Sequence, residues 1–205
     1  MKDTCTIPIR RGDRGFSLLE MTVVAGMIFI LAALTVPTLM TQVRAIRIQY
    51  SARDVSGLLQ RIRMEAVRKN SFYSLNYVAG NPNLVQVMDK NQAVVTSIPP
   101  AVLGNSVTSS YGLGGPAPAQ GTLMGTLNFT AAAVGVNDLP SFDARGLPCV
   151  ATTGVATCRS LGQGFVFFLA GTSGSSGSVG WAAVAVTPSG RCELFTWDGT
   201  NWNQQ

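Results

Sequence analysis

The sequence predicts an α+β chain: a long N-terminal helix, membrane-spanning in its first half, packed by its second half on an antiparallel β-sheet body. Three observations carry this. Residues 16–40 form a run of 25 residues with a single charge, Glu20. From Val43 to about Asn70, apolar residues recur at the spacing of a helix with one buried face. Beyond Asn70, short β-branched and aromatic runs alternate with stretches rich in Gly, Pro, Ser and Asn.

The first element is preceded by a basic peptide. Residues 1–15 carry Lys2, Arg10, Arg11 and Arg14 against Asp3 and Asp13. A helix needs about 20 apolar residues to cross a bilayer core, so residues 16–40 are long enough. The basic flank places its N-terminal end on the cytoplasmic side. A secretory signal peptide has a shorter apolar core and a small-residue cleavage site after it, whereas "TVPTLMTQV" follows here. A twin-arginine signal is a further alternative, although the apolar run starts late after Arg10-Arg11. A plain single-pass anchor leaves Glu20 unexplained, and a carboxylate inside a bilayer segment is costly and marks function by default.

The second element, residues 41–70, is amphipathic. Val43, Ile46, Tyr50, Val55, Leu58, Leu59, Ile62 and Ala66 form its expected apolar stripe. Arg44, Arg47, Arg53, Arg61, Arg63, Arg68 and Lys69 form its charged face. That face is a solvated flank near a membrane, or it binds acidic lipid or DNA. Pro37 removes one helix hydrogen bond and so marks either a kink or a helix end. The stripe beyond it favours the kink.

The third element is a β-rich body, residues 71–205. Strands are expected at 71–78, 84–88, 92–98, 126–130, 164–170, 180–186 and 191–197, with "TPSG" closing a hairpin between the last two. One face of the sheet should meet the helix stripe and the other should meet solvent. The body holds four basic and five acidic residues, so the net charge of +5 belongs to the helix and its leader. A basic whole chain therefore does not of itself imply a nucleic-acid partner.

Composition removes several chemistries. The chain has no His, which excludes Ser-His-Asp and Cys-His catalysis and His metal ligands. "GLGGP" (112–116) lacks the spacing and the Lys of a phosphate loop. Asp138, Asp143 and Asp198 sit beside Pro, Arg and Gly and are read as turn residues rather than a calcium site. Trp181, Trp197 and Trp202 are read as sheet cover. Arg191 at the hairpin tip is a candidate ligand contact, a lone cation able to touch phosphate. No cofactor and no metal site is expected.

Four features together carry a resemblance: Gly15 before the charge-to-apolar junction, Phe16 after it, "SLLE" with its acid at Glu20, and Pro37 inside the helix. The stretch "RGFSLLEMTVVAGMIFILAALTVP" resembles the leader and first helix of a type IV prepilin. "FDARG" (142–146) and the closing "VTPSGRCELF" resemble the GspH/FimT branch of minor pilins and pseudopilins. The resemblance implies a pilin-like fold and cleavage by prepilin peptidase between Gly15 and Phe16, with N-methylation of Phe16. It also implies assembly through the helix, with Glu20 pairing with the new ammonium of a neighbouring subunit. Residues 1–15 are then a cleaved leader and 16–40 the transmembrane and assembly segment.

The implied role is a non-enzymatic subunit of a type IV pilus or a type II secretion pseudopilus. Its partners are the peptidase and other pilin or pseudopilin subunits. It would reside in the inner membrane as a single pass and then in a periplasmic or extracellular fibre. The alternative is a binding module displayed on the same scaffold, taking DNA or a surface ligand.

Cys5 falls in the leader, leaving Cys149, Cys158 and Cys192 in a compartment that permits disulfides. Cys149 and Cys158 close a short loop around "VATTGVAT", whose Thr-Gly can reverse the chain. A bond from one of them to Cys192, or no bond, remains open at this point. Unpaired, Cys192 is a small buried hydrophobe.

Overall fold

The computed structural model describes residues 17–80, 82–103, 107–111, 120–132, 138–155, 157–160, 162–171 and 180–205, with the backbone alone at 37, 38, 40, 41, 44 and 108–111. The chain divides into two compact units, Met1–Met40 and Thr41–Gln205. Helix α1 is Leu18–Lys69.

α1 ends by a defined mechanism. Asn70 adopts φ 48°, its N–H donates to the Val67 carbonyl (3.3 Å), and the Ser71 N–H donates to the Ala66 carbonyl (3.1 Å). This pair of bonds is a Schellman closure, with Asn tolerating the left-handed conformation that glycine more often supplies.

Within the second unit, the buried stripe of α1 is Ile48, Ala52, Val55, Leu59, Ile62 and Ala66, with Leu58 at its edge. The spacing alternates between three and four residues. The lower half of the expected stripe is correct and the upper half is not. Val43, Ile46 and Tyr50 are exposed. A helix advances about 100° per residue, which sets Tyr50 opposite Leu59. Ala52, small enough to be overlooked, holds the stripe's true course.

The body contains two antiparallel sheets where one was expected. The first runs in the order β3 (Ala101–Val102), β2 (Leu84–Met88), β1 (Tyr73–Val78), β5 (Asp138–Phe142), β6 (Pro148–Thr152), β7 (Cys158–Ser160). The second runs β11 (Trp202–Gln204), β10 (Cys192–Trp197), β9 (Trp181–Val186), β8 (Phe165–Gly171), β4 (Val107–Tyr111). The expected hairpin is present, β9 meeting β10 with Val186 opposite Cys192. The run expected at 92–98 forms only an isolated bridge, Val94 to Met88. The run expected at 126–130 is not a strand: Thr126 ends a short helix, α2 (Gln120–Thr126), and the residues just after it form only an isolated bridge, Ala131 to Gly164.

Period-two alternation divides the second sheet between two cores. Phe165, Phe167, Leu169, Ala182, Val184 and Val186 join the α1 stripe in one cluster with Leu75, Val85, Val87 and Phe142 of the first sheet. Val166, Phe168, Trp181, Ala183 and Ala185 face the other way, onto Leu123 and Leu127 at α2 and onto Phe195, Trp197 and Trp202. Strands β8 and β9 of the second sheet are therefore covered on both faces, contrary to the expectation of a solvent face. All six residues of β9 are buried. "WAAVAV" and "FVFFLAG" lack hydrophobic–polar alternation because both of their faces are covered.

The three tryptophans lie on that outer face, as expected. Trp197 and Trp202 are cross-strand partners with ring centroids 5.4 Å apart. Hydrogen bonds pair polar groups inside the body, whereas the buried indole N–H groups of Trp181 and Trp197 have no partner among the described residues. The Ser141 hydroxyl bonds the Ser74 hydroxyl across β1 and β5 (2.7 Å). The buried Asn83 amide donates to the Val107 carbonyl (2.7 Å), tying the first sheet's β2 entry to β4 of the second.

Cys149 and Cys158 form a disulfide between β6 and β7. Gly154, at φ 84°, makes the intervening turn, closed by the Val155 N–H on the Thr152 carbonyl (3.0 Å). Gln92 fastens that turn from outside, donating to the Thr152 carbonyl (3.1 Å) and accepting from the Gly154 N–H (2.9 Å). In the chain-entropy account, a bond across so short a loop is worth about 2–3 kcal/mol.

Candidate functional site

Two regions carry the residues singled out by sequence. In the first unit, the apolar part of α1 spans Leu18–Val36 with mean hydropathy 2.2, and none of that window is buried. Its hydroxyls are satisfied within the helix: Thr22 donates to the Leu19 carbonyl (2.8 Å) and Thr35 to the Leu31 carbonyl (3.0 Å). Such back-bonding lets Thr sit in an apolar environment without an unpaired O–H.

Glu20 is the acidic residue of the first turn of α1, on the side where the helix dipole favours negative charge. It is exposed, and among the described residues its carboxylate has no cationic partner; the ion pairs there are Glu65–Arg68 and Asp143–Arg145. Gly15 and Phe16, the expected cleavage and methylation positions, lie outside the described residues. α1 continues through Pro37.

In the second unit, the two short motifs near the C-terminus come together. "FDARG" forms the turn between β5 and β6, and "TPSGR" forms the turn between β9 and β10. The Asp143 carboxylate organises the first: it accepts the backbone N–H groups of Arg145 and Leu147 (both 2.9 Å) and pairs with the Arg145 guanidinium (2.9 Å). Burial alone would raise its pKa, but those donors together hold it below the ordinary aspartate value. Asp198 organises the β10–β11 turn likewise, accepting from the Thr200 and Asn201 N–H groups, which lower its pKa to about 2. Asp138 departs from the turn reading: it opens β5 and accepts the Thr152 hydroxyl across β6 (3.0 Å).

Arg63 joins the two motifs. Its Nε–H donates to the Gly146 carbonyl (3.1 Å) and its Nη2 to the Ser189 carbonyl (2.9 Å). The charge pattern alone puts Arg63 on the solvated face with the other arginines. On a helical wheel it stands about 40° from Leu59, at the margin of the buried stripe, whereas Arg61 and Arg68 lie on the far side. That position was a readable sign.

Beside this junction lies an open groove of about 740 Å³ between α1 and the β9–β10 turn, lined by Arg63, Met64, Val67, Arg68, Arg191 and Cys192 among others. The structure therefore places Arg191 on a groove wall. Cys192 is free and partly buried, as the small-hydrophobe reading requires, and burial pushes its thiol pKa up to about 11.

No protein-family model and no curated protein matches the sequence. Among solved structures, the chain is similar to the minor pseudopilin EpsH from the type 2 secretion system of Vibrio cholerae, at 11% sequence identity and a TM-score of 0.43. The match covers 73% of this chain and 97% of that one.

Proposed function

We propose that the chain is a structural, non-enzymatic subunit of the minor pilin or pseudopilin type, cut after Gly15 and carried into a fibre by α1. The observation that supports this most is the exposed apolar segment Leu18–Val36 with Glu20 in its first turn. In a bilayer that carboxylate needs a compensating charge. Cleavage between Gly15 and Phe16 creates an ammonium on the neighbouring subunit's Phe16, and the pair sets the register between adjacent helices. Before cleavage the basic leader holds the N-terminus in the cytoplasm and the segment spans the inner membrane. Afterwards the apolar helices bundle and the bodies are carried outside.

Glu20→Ala tests the pairing. The substitution makes the segment more apolar, so membrane insertion should be unchanged. The amount recovered in sheared fibres should fall by about tenfold or more, as expected for a buried charge deprived of its partner. Wild-type levels in fibres would remove the pairing.

A further inference from the structure

The groove beside Arg63 sets an apolar floor against a cationic wall. Its floor is apolar and open: Met64 is 66% exposed and Val67 is 52% exposed, side by side on α1. Its wall is cationic. Arg68 is neutralised by Glu65 at 2.6 Å, while Arg63 bonds only neutral carbonyls and keeps its full charge. Among the described residues the Arg191 guanidinium has no hydrogen-bond or ion-pair partner, and none of the described side chains lining the groove is acidic. The Cys192 thiol stays neutral at physiological pH and adds no negative charge.

We propose that this groove docks an acidic segment of a protein partner, a carboxylate flanked by apolar side chains. The carboxylate sits on Arg191, and its apolar neighbours cover Met64 and Val67. A charged rim beside an apolar floor is the usual division of labour in a protein interface. A phosphate backbone fits less well. It engages a row of free cations, and it has nothing to place on two exposed apolar side chains. The walls are also fixed in advance, because Arg63 holds both turns against the helix, and this lowers the ordering cost of docking. The inference goes beyond the fibre-subunit reading and holds whether or not the leader is cut.

The test is a photo-cross-linking amino acid at position 64 of the full chain, irradiated in the cells that make it, with the adduct mapped by mass spectrometry. The expected adduct lies on a protein segment bearing Asp or Glu between apolar residues. Arg191→Glu should reduce it by about tenfold or more. Replacing the mapped acid by Arg in the partner should restore it. Arg191→Gln should give an intermediate yield, and an unchanged melting temperature for both variants shows that the fold is intact. An adduct on nucleic acid, on lipid or on a segment without a carboxylate would overturn the proposal. So would an adduct indifferent to Arg191→Glu, or none. Intact mass of the same extract reports leader cleavage separately, so the two readings fail independently.

Discussion

The Arg63 Nε–H and the Gly146 carbonyl oxygen are 3.1 Å apart, joining residues 83 positions distant in sequence. The same guanidinium reaches the Ser189 carbonyl at 2.9 Å. One helix side chain therefore sets the spacing of two turns that adjoin different sheets, and it forms one wall of the groove.

Arg63→Ala should destabilise the body by about 2–4 kcal/mol, since charge-assisted hydrogen bonds contribute about 1.5–3 kcal/mol each and are not additive. Arg63→Lys should recover little, because a single ammonium lacks the fork that spans both carbonyls. Thermal unfolding of the detergent-solubilised full chain measures both. Equal stability of Arg63→Lys and wild type would show that charge alone suffices.

Two glycines with nearly the same backbone separate strain from crowding. Gly190 (φ 81°) lies where a Cβ would come 2.5 Å from the Gly146 oxygen and 2.9 Å from Arg63 Nε, whereas Gly154 (φ 84°) has open space around it. Gly154→Ala should cost about 1–2 kcal/mol of backbone strain. Gly190→Ala should cost more, because it also displaces Arg63. Equal losses in denaturant unfolding would contradict the tight approach.

Acid should weaken the 142–147 turn. The folded pKa of Asp143 is depressed, so its contribution is fully present above the unfolded value of about 3.9. It is lost as pH falls through the lower folded value. The melting temperature of wild type should fall over that window. Asp143→Asn, which cannot titrate, should begin lower at neutral pH and fall less steeply. Parallel curves would show that Asp143 does not drive the acid response.

The sequence exposed part of the scaffold. The helix end at Asn70, β1, β2, β8 and the β9–β10 hairpin follow from period and turn chemistry; the Thr-Gly turn favours the Cys149–Cys158 bond, and the structure decides it against the alternatives with Cys192. Other elements were hidden for physical reasons. Pro140 interrupts "DLPSF" and argues against a strand. β5 tolerates it because β1 pairs with β5 only at Tyr73–Phe142 and Ser74–Ser141, leaving one side of Pro140 without a strand neighbour. The second core was hidden because a strand buried on both faces shows no alternation. At the groove, Arg191 was legible as a lone cation on a hairpin. Arg63's place at the margin of the buried stripe is legible on a helical wheel, but its two partners are loop carbonyls distant in sequence, which no local pattern records.

The most direct measurement is the intact mass of the protein extracted from membranes. The account predicts a chain beginning at Phe16 and carrying an added methyl group, with Glu20 then the fifth residue of the mature helix. A chain beginning at Met1, or one cut near residue 40 so that the apolar segment is lost, would contradict it.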